Sequence, residues 1–416
     1  MRVLSLALRR RTFRSLRRHR NYRLFFTGQV VSVAGTWMQN IALAWLVIEL
    51  SSSPLAVGAL AFCRFVPFLL FGLVAGVIID RFDTRRLLVA TQAAAMLVSI
   101  VLAIVTLAGW ATLGVVYALA AIGGLVLVFD APGRQTLTFQ MVGESELQNA
   151  VALNSGLFNA SRIIGPALAG LLIAVVGTGV CFVVNAFSFL AVLVALYLMR
   201  ESELYPVEKR PGTKVVAGVR EGLVWAARTP LARIVLVVVT VVSLVGFNFH
   251  VLVPLLASQT LNVGAGMFGV LSAAFGLGAL VGALATASLR EASPRVFVGG
   301  AVGFSLSMLA LAFVSSIDVA LVLLLLLGMS FSLFTSSANA LVQLSSPAHL
   351  RGRVMSLYLF AFAGLAPVGG LVAGFLAEQG GTPLAFGVAG ICGLLAIAWA
   401  AHALFSEPLS PARAQA

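Results

Sequence analysis

Three ionisable side chains fall deep inside long apolar stretches of the sequence: Arg64, Asp130 and Arg162. A charged group is costly in an apolar interior, so such residues by default mark a site for an ion, a proton or a substrate. A buried carboxylate can bind and release a proton, and a nearby guanidinium favours its charged form. The three positions are therefore candidates for proton transfer or for binding a charged ligand.

Asp130 and Arg162 lie at similar depths in two consecutive apolar stretches. At the helical rise per residue, Asp130 lies ~15 Å from the side on which the two stretches are joined, and Arg162 lies ~18 Å from that side. Because consecutive spans run antiparallel, we predict a direct Asp130–Arg162 pair with Asp130 as the proton carrier. A static pair that only fixes helix packing is the alternative, and His250 is the next candidate carrier.

Polar side chains also interrupt two other apolar stretches, with Gln39 and Asn40 in one and Asn248 and His250 in the other. The shift along the chain that superposes the two halves carries Gln39 onto His250. This correspondence favours inward-facing polar positions in both halves. Together with Arg64, these residues are our candidates for the lining of a substrate cavity.

A charged turn follows the second apolar stretch and contains Gly76, Asp80, Arg81 and Arg85. An Asp at a helix end can cap a helix, and Arg can bind a carboxylate through two hydrogen bonds. With Arg134 at the same membrane surface, the turn could form a conformational latch between two halves of a bundle. The alternative is that these charges only anchor the turn at the surface.

The chain has 416 residues, of which 60% are hydrophobic and 10% charged, whereas soluble chains are about 25% charged. Long apolar runs recur over the whole length, so lipid is the expected solvent. We predict spans near residues 24–48, 56–79, 87–108, 112–140, 150–176, 180–199, 233–258, 267–289, 296–315, 319–342, 354–377 and 383–405.

The basic residues lie on one side of these spans. With the N-terminus inside, all of the 27 lysines and arginines except Arg64 and Arg162 fall in inside segments. This positive-inside pattern predicts both termini in the cytoplasm. The long inside segment 200–233 carries Val216, Val219 and Leu223 on one side, which predicts an amphipathic surface helix.

Short patterns repeat between the halves, and Gly58 and Leu60 recur as Gly269 and Leu271. We therefore predict an all-α integral membrane protein with twelve transmembrane helices in two six-helix, pseudo-symmetric halves. Such repeats place the substrate site at their interface. The predicted units are a basic cytoplasmic arm 1–23, a first half 24–199, a cytoplasmic linker 200–232, a second half 233–405 and a cytoplasmic tail 406–416.

The charged turn resembles the signature Gly-x-x-x-Asp-Arg-x-Gly-Arg-Arg/Lys of the major facilitator superfamily. Gly76, Asp80, Arg81 and Arg85 match it, and two positions between them depart from it. The resemblance implies the twelve-helix fold of that superfamily and a latch at this turn. Similarity to its branch of enterobactin exporters and drug efflux proteins is carried by residues 13–26, 35–39, 132–135 and 154–170.

The fifth stretch contains Gly165, Pro166 and Gly170. Small residues allow close helix approach, and the three resemble the Gly-Pro motif that exporters of the superfamily carry in helix 5. The resemblance implies a secondary transporter that exports a small amphiphilic or apolar compound, drug or siderophore-like, by proton antiport and alternating access. An importer, a lysophospholipid flippase and a non-transporting membrane receptor are the alternatives.

A membrane-embedded enzyme would need catalytic groups converging at one depth, and four scattered histidines do not provide them. We find no phosphate-binding loop and no metal-ligand spacing, and expect neither cofactor nor bound metal. The expected partners are a small-molecule substrate, protons and the lipid bilayer, without nucleic acid. We expect a monomer in the bacterial inner membrane.

The positive-inside pattern predicts that Ser52 and Gly264 face the outside and Gly212 the cytoplasm. Single cysteines at these positions, in a chain without its own three cysteines, should distinguish the sides. An impermeant thiol reagent added to intact cells should label the variants at 52 and 264 only. Labelling at 212 from outside would reverse the orientation.

Overall fold

The computed structural model describes residues 12–79, 82–206, 215–288, 293–347 and 350–405, and the regular elements within these ranges are all helices. The helices are α1 Arg20–Leu50, α2 Pro54–Ile79, α3 Thr84–Leu107, α4 and α5 together Leu113–Val176, α6 Thr178–Tyr197, α7 Pro230–Gly246 continued by Phe249–Leu255, α8 Ala265–Ser288, α9 Pro294–Leu311, α10 Ile317–Ser345, α11 starting with Arg351–Leu359, and α12 ending the run Ala366–Phe405. The described residues also include two shorter α-helices, the N-terminal helix Arg14–Arg18 and the linker helix Val215–Arg228, and a 3-10 helix at Glu201–Glu203.

Two helical runs are long enough to cross a membrane twice, and each is interrupted at a glycine. Leu113–Val176 breaks at Gly143, which has a φ of 68° and separates α4 (113–142) from α5 (144–176). Ala366–Phe405 breaks at Gly381, with a φ of 70°, between α11 and α12. Glycine adopts positive φ without steric cost. The ten apolar runs of the described residues therefore form twelve spans, and each overlaps a predicted one.

The spans form two bundles. In the first half, α1 packs on α6, α2 on α4, and α3 on α6; in the second half, α8 and α9 pack on α10, and α7 and α9 pack on the α11–α12 run. Between the halves, α5 crosses α8 and α2 crosses α11. This arrangement leaves the middle of the molecule to the inner faces of helices from both halves.

Glycines make both crossings between the halves. A Cβ at Gly269 of α8 would lie 2.6 Å from the carbonyl oxygen of Pro166 and 2.7 Å from Cα of Gly170 in α5. A Cβ at Gly58 of α2 would lie 2.6 Å from the carbonyl oxygen of Gly370 in α11. Because Gly58 and Gly269 are the positions related by the internal repeat, the two crossings are pseudo-symmetric.

The bundle has two distinct ends. The basic end carries the N-terminal helix, the linker helix, Arg85 and Arg353, and the distal end is the opposite one. At the distal end the halves are hydrogen-bonded: Ser53 Oγ donates to Glu378 Oε2 at 2.7 Å, and Gln259 Nε2 donates to the carbonyl oxygen of Ser52 at 3.1 Å. No such bond joins the halves at the basic end among the described residues, so the halves are tied together at the distal end.

The linker helix packs on the start of α11 through small residues. Glu221 pairs with Arg353, Gly222 lies against Leu357, and Ala226 is buried. The amphipathic surface helix stays a prediction, and Leu223 of its predicted apolar side is 54% exposed on the protein surface. Small residues allow the closest approach to α11, and the larger leucine faces outward. The side chains of Val216 and Val219 lie outside the described residues.

The N-terminal helix docks onto the start of α5. Arg14 and Arg18 pair with the buried Glu146 at 2.5 and 3.1 Å, and Ser15 Oγ donates to Asn149 Oδ1 at 2.7 Å. A buried carboxylate needs such partners because removal from water disfavours its charge. Part of the predicted basic arm is therefore an integral piece of the first half.

The crossing of α5 and α8 predicts opposite effects for two Gly→Ala substitutions. Gly269→Ala should destabilise the protein by about 1–3 kcal/mol, because the new methyl meets backbone atoms that cannot move aside. Gly299→Ala is the matched control: it lies in α9 with nothing within 4 Å of a new Cβ, so it should be neutral or slightly stabilising. Thermal unfolding of the purified variants measures both, and equal unfolding temperatures would contradict the close crossing.

Candidate functional site

A central cavity lies between the two halves and is lined by α1 and α2, α5, α7 and α8. Aromatic and aliphatic side chains form most of its wall, as is usual for sites that bind small molecules. The polar or charged residues that line it are Asn40, Arg64, Arg162, His250 and Ser272.

Arg162 of α5 lines this cavity and is surrounded by aromatic rings. Arg162 as a whole is 8% exposed, and its Nε atom is buried without a hydrogen-bond partner among the described residues. Its Cζ lies 4.8–5.8 Å from the ring centres of four aromatic residues, close enough for cation–π attraction. These rings belong to Trp37, Phe249, Phe275 and Phe331, and so come from α1, α7, α8 and α10.

Arg64 of α2 brings a second guanidinium to the same cavity. It is half-buried, lies 5.6 Å from the ring centre of Phe65, and forms no hydrogen bond or ion pair with any described residue. The ring of His250 lies near those of Trp37 and Phe65, at 6.2 and 6.1 Å between centres. The cavity thus combines two guanidinium groups and an imidazole, and its lining residues include no carboxylate.

A second cavity lies within the first half, between α1, α2, α3, α4 and α6. Asp130 is its only acidic lining residue and is 4% exposed. Its Oδ1 atom accepts hydrogen bonds from Thr91 Oγ1 at 3.0 Å and Gln92 Nε2 at 2.6 Å, and its Oδ2 atom pairs with Arg134 one helical turn away. Arg134 also donates to Gln29 of α1, so Asp130 is held in a fully polar setting.

Arg64 and Asn40 line both cavities, so the two sites share a wall. Gln39 faces the second cavity, where its Oε1 accepts hydrogen bonds from Ser99 at 2.7 Å and Asn185 at 2.8 Å. The structure therefore divides the predicted cavity residues. Arg64, Asn40 and His250 line the central cavity, and Gln39 lies on the side of Asp130.

The predicted Asp130–Arg162 pair is wrong. Asp130 points into the first half, whereas Arg162 points to the interface with the second half. The two residues have similar depths, but depth leaves the direction around each helix axis undetermined. Arg134 lies one turn from Asp130 on the same helix and is the arginine that neutralises it.

Asn248 lies outside both cavities. It stands at the break of α7, where its side chain donates to the carbonyl oxygen of Leu244 at 2.9 Å and would contact a Cβ at Gly369.

The residues of the helix 5 motif take part both in helix packing and in the lining of the central cavity. Gly165 lies against α1, Pro166 lines the central cavity, and Gly170 forms the crossing with α8.

The predicted latch stays a prediction. Asp80 and Arg81 lie outside the described residues, and Gly76 falls near the end of α2. Arg85 binds its own half, donating to the carbonyl oxygens of Leu196 at 2.8 Å and Tyr197 at 3.2 Å. Arg134 likewise binds residues of its own half in this conformation.

Sequence reasoning missed two features of the site. The four rings around Arg162 come from positions far apart in the chain with no common spacing, so no local pattern could identify them. Asp130 and Arg134 have the spacing of neighbours on one helix face, a signal that could have identified their pair.

Comparisons with known proteins are consistent with a transport site. Residues 12–414 match the family described as transmembrane secretion effectors. The staphyloferrin A transporter of Staphylococcus aureus is 26% identical over 88% of this chain and 92% of its own, and the multidrug efflux pump Tap of Mycolicibacterium fortuitum is 28% identical over 85% and 88%. A bacterial homologue of the human lysosomal transporter Spinster, solved inward-facing and unoccupied, superposes with a TM-score of 0.72 at 12% identity, over 94% of this chain and 98% of that one.

Substitutions of Arg134 and of Arg162 should differ in whether their effect on the free energy of unfolding depends on Asp130. Arg134→Gln removes the ionic partner of the buried Asp130, so we expect a loss of ~3–5 kcal/mol in stability. The double variant Asp130→Asn with Arg134→Gln should recover most of it, because no buried charge is left unpaired. Thermal unfolding of the single and double variants measures the coupling.

Arg162→Gln with Asp130→Asn is the matched comparison. Its two effects should add, because the residues share no contact. A strong coupling between positions 130 and 162, with none between 130 and 134, would contradict the pairing seen in the structure.

Proposed function

The chain belongs to the transmembrane secretion effectors of the major facilitator superfamily, and we propose that it exports a small amphiphilic or apolar compound, drug or siderophore-like, in exchange for protons. The observation that carries this proposal is the central cavity, which lies between the two halves beneath a hydrogen-bonded distal end. Such a site can alternate between the two sides of the membrane as the halves rock against each other. A single chain supplies the whole cavity, so a monomer would suffice.

We propose that the basic end faces the cytoplasm. The arginines and lysines gathered there favour that side. In this orientation the conformation is closed to the outside, and the cavity receives its cargo from the cytoplasm. Breaking the bonds of Glu378 and Gln259 across the distal end would then be required for release.

Export is the direction favoured by the relatives. Multidrug efflux is the activity that Tap is named for, and transport of staphyloferrin A is the activity that the Staphylococcus aureus protein is named for. Import and lipid flipping on the same fold remain alternatives, distinguished by the direction in which cargo moves.

Proton coupling is proposed for Asp130. Its carboxylate is buried in the second cavity, where it pairs with Arg134 and accepts hydrogen bonds from Thr91 and Gln92. Protonation would remove the charge that holds Arg134, which would free the guanidinium from α4 and leave its bond to Gln29 of α1. Arg64 and Asn40 line both cavities, so a structural change around Asp130 can alter the position of residues that bind cargo.

Asp130→Asn should abolish proton-driven export, because an amide does not titrate in the working pH range. Inverted membrane vesicles with an acidic lumen and a pH-sensitive dye provide the assay. Staphyloferrin A, erythromycin and ethidium are the test compounds. A transported compound should dissipate the pH gradient through the wild-type protein and not through the variant.

Asp318→Asn serves as the control, since Asp318 is an exposed carboxylate in the first turn of α10. It should dissipate the gradient as the wild type does. Normal activity of Asp130→Asn would remove Asp130 as the carrier. Movement of compounds only out of the inverted vesicles would replace export by import.

A further inference from the structure

We propose that the central cavity binds an oxyanion group of its cargo, a carboxylate, sulfonate or phosphate, between Arg162 and Arg64, with the apolar body of the cargo against the aromatic wall. This inference rests on the transport function proposed above and specifies the class of compound carried. The juxtaposition of two guanidinium groups without a carboxylate among the lining residues is the observation behind it.

Among the described residues, no acceptor forms a hydrogen bond with Arg162. A guanidinium carries five N–H donors in one plane and stays protonated in proteins. The four rings attract its positive charge, but π faces are weak acceptors, and Nε is buried without a partner. Buried donors are normally paired, and an unpaired one is a place where a ligand gains binding free energy. The side chain lines the cavity, so a ligand oxygen is the acceptor that fits it.

Arg64 provides the second half of the site. It belongs to α2, whereas Arg162 belongs to α5, and both side chains line the same cavity. Neither forms an ion pair with the described residues, so no protein carboxylate balances either positive charge. An oxyanion bound between them would supply that negative charge and accept hydrogen bonds from both, and charge-assisted bonds of this kind are the stronger ones.

The other charge classes fit the cavity poorly. A cationic cargo would meet two guanidinium groups and no carboxylate on the wall, and like charges repel strongly where water is scarce. A neutral cargo without acceptors would leave the donors of Arg162 unpaired. Asp130 offers no remedy for a cation, because it lies in the second cavity and is already paired with Arg134.

The aromatic wall suits a flat apolar body beside the charged group. Trp37, Phe65, Phe249 and Phe275 all line the cavity, and the imidazole of His250 lies 4.0 Å from the ring of Phe249. Aromatic side chains bury large apolar areas and stack on other rings. The cargo class is therefore an amphiphilic anion.

Equilibrium dialysis tests this on the full-length protein in phosphatidylcholine nanodiscs, with empty nanodiscs as the reference for partitioning into lipid. The probes are 2-naphthoate, 2-naphthamide and 2-naphthyltrimethylammonium, which share one ring system and differ in charge. We expect the wild type to bind the naphthoate at least about tenfold more tightly than the other two. Arg162→Gln and Arg64→Gln should each remove most of that preference, and Arg162→Lys should keep part of it.

Arg228→Gln is the matched control, because Arg228 is an exposed guanidinium on the linker helix. It should bind naphthoate as the wild type does. If Arg162→Gln does not fold, Arg162→Lys and Arg64→Gln carry the comparison.

Three outcomes would overturn the inference: equal or tighter binding of the amide or the cation, an unchanged preference for the anion in Arg64→Gln and the Arg162 variants, or no binding of naphthoate at all. The measurement uses no pH gradient, so it is independent of proton coupling. A protein that exports cargo in exchange for protons but prefers the cation would retain the proposed function and lose this inference.

Discussion

A positive charge held at the middle of an apolar interior is the constraint on which the arrangement around the cavity depends. Arg162 has no carboxylate partner among the described residues, and four rings from both halves surround it instead. The contribution of α7 comes from Phe249, the first residue after the helix break at residues 247–248. Cation–π contacts are worth up to ~2 kcal/mol each when desolvated, so the rings can stabilise the guanidinium while its N–H donors stay free.

The two charged sites have opposite chemistry and lie side by side. Asp130 is neutralised within the first half by Arg134 and accepts hydrogen bonds from Thr91 and Gln92, and this network involves helices of one bundle. The central cavity is bordered by both bundles and carries a net positive charge. A site inside one rigid bundle can keep its geometry while the halves move, whereas a site between bundles changes shape with them. The division suits the two ligands of the proposed function: a proton bound inside one bundle, and a cargo that must enter and leave between the bundles.

Features that extend or repeat along the chain could be predicted from the sequence, whereas the direction of a side chain around its helix axis could not. Twelve spans follow from apolar length, and the repeat related Gly58 to Gly269 before their equivalent crossings were seen. The pairing of Asp130 failed because depth along a helix says nothing about the direction of a side chain around it. The break of α7 after Gly246 was missed as well, because no proline marks it, and Asn248 satisfies a freed carbonyl with its own side chain. Rings such as Phe331 reach Arg162 through tertiary packing, which no local pattern encodes.

The glycine crossings affect how the free energy of the protein changes as the two halves rotate against each other. At Gly58 and Gly269 the nearest atoms of the opposing helix are backbone atoms, those of Gly370 and Gly374 at the first and those of Pro166 and Gly170 at the second. Interdigitated side chains would have to leave one set of rotamers and enter another at each step of a rotation. A contact of bare backbones has no such intermediate barriers, so the angle between the halves can vary smoothly at these two crossings, and the polar bonds at the distal end oppose the reorientation.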